Sequence, residues 1–204
     1  MKSLLVFLMA FAFAAAHASD NESVKSETAP VISKGGEAGF FSPAAVVRSG
    51  AFMIGAETQY QFSGPKKFGV LGHLRYGLVP RFEINSDIGI KRGEFYFGAG
   101  VDYQIMPDRA GSLGMLFRGG GFINDPVGSG LDLSLMVGNQ FSQINIYGGL
   151  QTKFIVDPTD VTVFNLIGGI HIPFQRKMAF VGEIGLNVND KDDSYLSAGV
   201  LFGL

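Results

Sequence analysis

General acid/base chemistry in this sequence would depend on its histidines, because histidine is the side chain that most readily exchanges protons near neutral pH. The chain has 204 residues, with three histidines and no cysteine. Glu57 precedes His73 in the sequence and Asp87 follows it, each at a distance of one strand. A histidine held between two carboxylates would suit a hydrolase or an acyltransferase. The absence of cysteine excludes a thiolate nucleophile, a cysteine-based metal site and a disulfide framework.

The pattern around these residues is that of β-strands. From residue 50 onward, apolar and polar residues alternate with a period of two over segments of about 9 to 13 residues. In EFYFGAGVDYQI, Phe95, Phe97 and Val101 share one face, while Glu94 and Asp102 share the other. The alternation predicts ten strands, with eight or twelve as alternatives. They lie near residues 50–62, 67–78, 82–90, 94–105, 113–123, 131–140, 144–156, 161–172, 178–188 and 194–204.

Proline positions agree with this division, since proline cannot donate a hydrogen bond to a sheet and is rare inside strands. None of the eight prolines falls inside a predicted strand. The predicted connections hold Pro65, Pro80, Pro107, Pro126, Pro158 and Pro173.

Composition and charge exclude several classes of protein. The chain is 47% hydrophobic and only 17% charged, and its 16 Lys and Arg residues form no basic stripe, so we expect no nucleic-acid partner. The glycine-rich run RGGGFIND (118–125) is not followed by a helical pattern, which argues against a phosphate-binding loop. We therefore expect neither a cofactor nor a bound metal ion.

The N-terminal residues indicate export. Residues 1–18 combine Lys2 with an apolar run and end in Ala16-His17-Ala18, which is the pattern of a signal peptide cleaved after Ala18. Residues 19–49 begin with a polar stretch that lacks apolar periodicity, so we expect a flexible segment. Within it, FFSPAAVV (40–47) is apolar and is either a short plug or an additional strand. The predicted domains are thus 1–18, 19–49 and 50–204.

The signal peptide, the ten alternating segments and the final run YLSAGVLFGL together resemble bacterial outer-membrane β-barrel proteins. In the final run, the apolar residues share one face, and Leu204 stands where that family usually ends in Phe. The resemblance implies an all-β fold, a closed up-and-down antiparallel transmembrane β-barrel in the outer membrane, with residues 19–49 in the periplasm. It also implies contacts with outer-membrane lipid and lipopolysaccharide, and with the barrel-assembly machinery during insertion.

Charged residues fall on the face opposite to the apolar one, which would face the barrel lumen. Opposed residues on antiparallel strands have a constant index sum. This predicts that His73 lies opposite both Glu57 and Asp87, that Arg75 lies opposite Asn85, and that Asp102 lies beside Arg118. The predicted lumen-lining charges are Glu57, His73, Arg75, Glu83, Asp87, Asp102, Arg118, Asp132, Lys153 and Glu183.

This set of charges is compatible with two functions. If they pair with one another, they fill the lumen, and the barrel is a structural membrane component. If they line an aqueous path, the barrel is a narrow porin-like channel for small ions or solutes, biased to cations because acidic residues outnumber basic ones.

Two further alternatives remain open at this point. A barrel hydrolase or acyltransferase would use His73 with Glu57 and Asp87, but parity places Ser86 outward and His73 lies far from either strand end, so we expect no enzyme. A soluble secreted β-barrel would show the same alternation, since alternation by itself does not distinguish inside from outside.

Overall fold

The computed structural model describes residues 46–63, 67–91, 93–106, 113–125, 128–141, 144–157, 161–175, 177–189 and 194–204. These residues form ten strands, each antiparallel to its sequence neighbours, and β1 pairs with β10 to close a barrel. The strands are β1 (Phe52–Gln61), β2 (Lys67–Val79), β3 (Phe82–Lys91), β4 (Glu94–Met106), β5 (Gly114–Asn124), β6 (Gly128–Phe141), β7 (Ile144–Asp157), β8 (Val161–Gln175), β9 (Met178–Asn187) and β10 (Tyr195–Gly203). The predicted closed antiparallel barrel of ten strands is confirmed.

Strand boundaries differ from the expected ones by three residues at two places, and by two residues or fewer elsewhere. β6 begins earlier, at Gly128, and β8 extends to Gln175. Pro173 therefore lies inside β8, where we expected a connection, and pairs with Ala179 just before the register shifts at Gln175. A bulge tolerates the missing N–H of proline, because the ladder is already interrupted there.

The ten registers determine the width of the barrel. If directly opposed residues are followed from strand to strand once around the barrel, the path returns to β1 twelve residues away from the residue at which it began. This offset is the stagger of the closed sheet. With ten strands, this stagger gives a strand tilt of about 40° and a backbone radius of about 10 Å. Side chains from opposite walls can meet across a lumen of that size.

The two faces of the barrel are reversed relative to a soluble protein. Large apolar side chains point outward and are exposed, such as Leu150 at 57% and Ile88 at 54%. Charged side chains point inward and are buried, with Glu83 and Asp102 both at 0% exposure. A barrel with this distribution has to sit in lipid, because apolar exposure on this scale is unfavourable in water. The alternative of a soluble secreted barrel is therefore wrong.

Aromatic rings mark both ends of the outward face. We call the end where β1 begins and β10 ends the proximal end, and the opposite end the distal end. The exposed phenylalanines near the proximal end include Phe52, Phe141, Phe174, Phe180 and Phe202, and those near the distal end include Phe62, Phe68, Phe95, Phe154 and Phe164. Girdles of this kind lie at the two membrane interfaces of transmembrane barrels.

The proximal half of the lumen is filled by apolar side chains. One buried cluster consists of Val47, Met53, Ala179, Val181 and Leu201. Nearer the middle of the barrel, a second cluster joins side chains of three adjacent strands, namely Met136, Tyr147 and Ile167. Val47 precedes β1, so at least part of the segment expected to be flexible packs against the barrel, and residues 46–49 differ from that expectation.

Several expectations lie outside the described residues. These are the signal peptide 1–18, the segment 19–45, and most of the connections at 64–66, 107–112, 126–127, 158–160 and 190–193. Within the described residues, no helix is long and apolar enough to cross a membrane.

Candidate functional site: the polar lumen

A network of ion pairs crosses the proximal half of the lumen, built on four adjacent strands. Asp102 on β4 lies directly opposite Glu83 on β3 and Arg118 on β5. Arg118 binds Asp102 through two parallel hydrogen bonds, Nε to Oδ1 and Nη2 to Oδ2, both of 2.6 Å. Arg75 on β2 reaches the same carboxylate at 3.1 Å and also pairs with Glu83. Two arginines and two carboxylates thus neutralise one another.

Additional hydrogen bonds saturate this network. Asn85 Nδ2 donates to Asp102 Oδ1 at 2.8 Å, and the backbone N–H of Val47 donates to Glu83 Oε2. Burying charges is costly unless each is paired and hydrogen-bonded, and here the partners come from neighbouring strands and from the segment before β1. The arrangement therefore holds charge in place and leaves no wide water path through this half of the lumen.

His73 lies near the middle of the lumen between two carboxylates. Its Nδ1 is 2.7 Å from Asp87 Oδ1, and its Nε2 is 3.8 Å from Glu57 Oε1. The predicted oppositions of His73 with Asp87 and of Arg75 with Asn85 are confirmed.

One predicted opposition in the lumen is wrong. Glu57 lies opposite Leu71, and His73 lies opposite Gly55, so the β1–β2 register is displaced by two residues from the expected one. A two-residue shift preserves the face on which each side chain lies. Glu57 therefore still points inward and approaches His73 diagonally.

Another inward carboxylate, Glu183 on β9, accepts hydrogen bonds from two tyrosines. The hydroxyl of Tyr195 donates to Glu183 Oε1 at 2.6 Å, and that of Tyr147 donates to Oε2 at 2.9 Å. The two rings lie over glycines on the adjacent strands, Gly185 and Gly169. A β-carbon at Gly169 would come within 2.3 Å of the Tyr147 ring, so the missing side chain is what lets the ring lie flat across the wall.

Asp132 and Lys153 lie opposite each other on β6 and β7, in the distal half. Asp132 accepts hydrogen bonds from Gln151 Nε2 at 2.7 Å and from Ser134 Oγ at 3.2 Å. Lys153 is 8% exposed. The polar chain continues from Gln151 to Asn165, whose amide donates to it at 3.2 Å.

The lumen contains a polar cavity of about 60 Å³ between these groups. That volume has room for a few water molecules. Near the distal end, Lys91 Nζ lies 5.4 Å from the ring centre of Tyr96 and 5.9 Å from that of Tyr195. The charged residues lining the cavity are Glu57, Asp87, Asp132, Lys91, Arg118 and Lys153, with His73 beside them.

The structure places all ten sequence-predicted residues on the inward side of the barrel, and brings them together in groups. The cavity is lined by Glu57, His73, Asp87, Arg118, Asp132 and Lys153. The proximal network contains Arg75, Glu83 and Asp102, and the two tyrosines bind Glu183. Among the described residues, no group of three or more His, Asp or Glu side chains is placed to hold a metal ion.

Some residues of the lumen were not predicted from the sequence. Tyr147 and Tyr195 have inward parity and oppose glycines, so parity combined with register would have found them. Val47 precedes the alternating region and carries no such signal. His171 on β8 is also buried, at 2% exposure, and its Nδ1 lies 3.2 Å from Asn145 Nδ2.

Comparison with known proteins finds matches among solved structures. No protein-family model and no curated protein matches the chain. Two solved structures are similar to it at 15% sequence identity. One, titled "De novo design of transmembrane beta-barrels", covers 78% of this chain and 100% of its own, with a TM-score of 0.41. The other, a solution NMR structure of the de novo designed TMB2.3, covers 76% of this chain and 97% of its own, with a TM-score of 0.39.

Proposed function

We propose that this chain is a bacterial outer-membrane β-barrel with a closed resting lumen, and that it serves as a structural component of that membrane. The observation that carries the proposal is the filling of the proximal half of the lumen. Apolar clusters occupy it together with a network in which Asp102 binds two arginines. A lumen packed in this way stabilises the barrel wall and blocks the passage of solutes.

The compartment and the partners are part of the same proposal. An N-terminal pattern typical of export, followed by a barrel with an apolar outer face, supports the outer membrane as the destination. In that membrane the outward face contacts lipid and lipopolysaccharide. The final strand, with Leu196 and Phe202 on its outward face, is the region we expect the barrel-assembly machinery to recognise.

A narrow channel is the second candidate, and the polar cavity favours it. Its lining has three acidic and three basic side chains among the described residues, so the cavity itself supplies no excess of negative charge. A cation bias would then depend on the deeper carboxylates, Glu83 and Asp102, which are engaged with arginines. Conduction would require rearrangement of the proximal half.

An enzymatic function has less support than either of these. His73 and its two carboxylates resemble a base with its orienting groups, but Ser86 lies on the outward face, opposite Leu74. We expect His73→Ala to leave any hydrolase or acyltransferase activity of the membrane fraction unchanged. Loss of such an activity, with the barrel still folded, would favour the enzyme.

The deciding experiment is a conductance measurement on the refolded barrel in a planar bilayer. Insertion is first verified by heat-modifiable migration on a gel. We expect no stable single-channel steps from the unaltered protein. Stable steps whose reversal potential in a salt gradient changes with Glu57→Gln would contradict the closed barrel and establish the channel.

The proposed compartment has its own measurement. We expect the protein in the outer-membrane fraction of a Gram-negative host, with Ser19 as its first residue by mass spectrometry. Recovery in the soluble periplasmic fraction would contradict the outer-membrane assignment. Retention of residues 1–18 on the membrane-inserted protein would contradict the cleavage site.

A further inference from the structure

The segment that precedes β1 turns into the proximal end of the barrel. Val47 is 3% exposed, and its side chain packs with Met53, Val181 and Leu201 at the end of the lumen. Its backbone N–H donates to Glu83, a member of the ion-pair network. One residue thus joins the apolar and the charged contents of the proximal lumen.

The backbone of this segment fits against a glycine of β2. Gly50 N donates to Gly77 O at 2.7 Å, and Gly77 N donates to Ala51 O at 3.1 Å. A β-carbon at Gly77 would lie 2.2 Å from the carbonyl oxygens of both Val47 and Arg48. Only glycine lets the segment approach the wall this closely.

The segment is joined to the wall outside the continuous ladders that connect the strands. Its ladder pairing is one isolated parallel bridge among the described residues, between Ser49 and Gly77, and Ser49 Oγ donates to Leu78 O at 3.0 Å. All ten strands, by contrast, pair along their length on both sides. A segment outside the closed sheet can detach while the ladders of the ten strands persist.

We propose that residues 46–51 form a displaceable plug that seals the proximal end of the lumen. Val47 is its apolar tip, Gly77 is its seat, and Glu83 is its polar anchor. When the plug is docked, water cannot reach Val181, which is 1% exposed, or the Glu83–Arg75 pair above it. When it leaves, this end of the lumen becomes accessible although the ten strands stay in place.

The test uses a single introduced thiol, since the chain has no cysteine of its own. Val181→Cys places that thiol beneath the plug, and a water-soluble maleimide measures its accessibility in the full-length barrel folded in detergent micelles. Gly77→Ala is the displacing change. Gly72→Ala is the matched control on the same strand, because a β-carbon there meets its nearest atom at an ordinary 3.6 Å.

We expect the labelling rate of the introduced thiol to rise at least tenfold with Gly77→Ala and to stay within twofold with Gly72→Ala. Equal labelling rates in the two variants, both of which migrate as folded barrels, would overturn the plug. Rapid labelling of the Val181→Cys protein without any second change would also overturn it.

A second variant, Val47→Asp, provides the test if the Gly77→Ala protein does not fold. Residue 47 lies outside all ten strands, and Val47→Asp puts a carboxylate into the apolar cluster, so it should release the plug and accelerate labelling to a similar degree. Slow labelling with Val47→Asp would overturn the proposal. Because labelling does not depend on conductance, this result is independent of whether the barrel is a structural component or a channel.

Discussion

At the scale of single residues, Asp102 is the central carboxylate of the proximal ion-pair network. It accepts hydrogen bonds from Arg75, Arg118 and Asn85, and it is completely buried. Removing one partner from a buried ionic group leaves the others without compensation, which costs more than the pair itself contributes. Asp87 differs, because its side chain is 26% exposed to the cavity and contacts His73.

Asp102→Asn should therefore destabilise the barrel strongly. We expect a loss of about 3–5 kcal/mol in the free energy of unfolding, since Arg75 and Arg118 would both lose the buried carboxylate that they share. Urea-induced unfolding in detergent micelles measures it. Asp87→Asn is the control, with less than half that loss because water solvates its site. Equal losses would mean that the proximal network does not carry the stability of the lumen.

At the scale of strands, neighbours fit through aromatic rings laid over glycines. Tyr147 on β7 covers Gly169 on β8, and Tyr195 on β10 covers Gly185 on β9. Both rings end in a hydroxyl that binds Glu183. The packing of the four strands from β7 to β10 thus depends on two positions where no side chain is present.

Gly169→Ala should disturb this fit, whereas Gly168→Ala next to it should not. A β-carbon at residue 169 would meet the Tyr147 ring at 2.3 Å, and one at residue 168 meets its nearest atom at 3.9 Å. We expect a loss of about 1–3 kcal/mol for the first change and less than about 0.5 kcal/mol for the second. Urea-induced unfolding again measures both, and near-ultraviolet circular dichroism reports on the tyrosines. Identical stabilities would show that Tyr147 moves aside at no cost.

At the scale of the whole molecule, the reversed faces make lipid the solvent of the barrel. Leu150 lies halfway along β7 on the outward face, and Val156 lies near the distal end of the same strand and face. The two differ mainly in their depth in the membrane. Their comparison therefore tests embedding directly.

Leu150→Arg should cost about 2–4 kcal/mol of folding free energy in phospholipid vesicles, and Val156→Arg about 0–1 kcal/mol, because the cost of an outward charge falls from the midplane to the interface. Equilibrium unfolding from vesicles by guanidinium measures both. In a barrel surrounded by water, both changes would be nearly neutral, so matching small values would contradict the membrane-spanning assignment.

The sequence by itself predicted ten strands, with eight or twelve left open, and the inward direction of the ten lumen-lining residues. Side chains alternate along a strand with a period of two, so polar and apolar faces can be assigned without any knowledge of pairing. This is why all ten charged residues could be placed on the inward side, and why the β1–β2 register error left Glu57 there.

Only the tertiary structure decided the register of the β1–β2 hairpin, the extension of β8 past Pro173, the role of Val47 and the closure of the lumen. Register depends on turn geometry and on packing against both neighbours, and a shift of two residues leaves the alternation unchanged. The filling of the lumen depends on side chains of strands far apart in sequence, which meet only because the stagger of the closed sheet sets its width. No periodicity along the chain encodes that width.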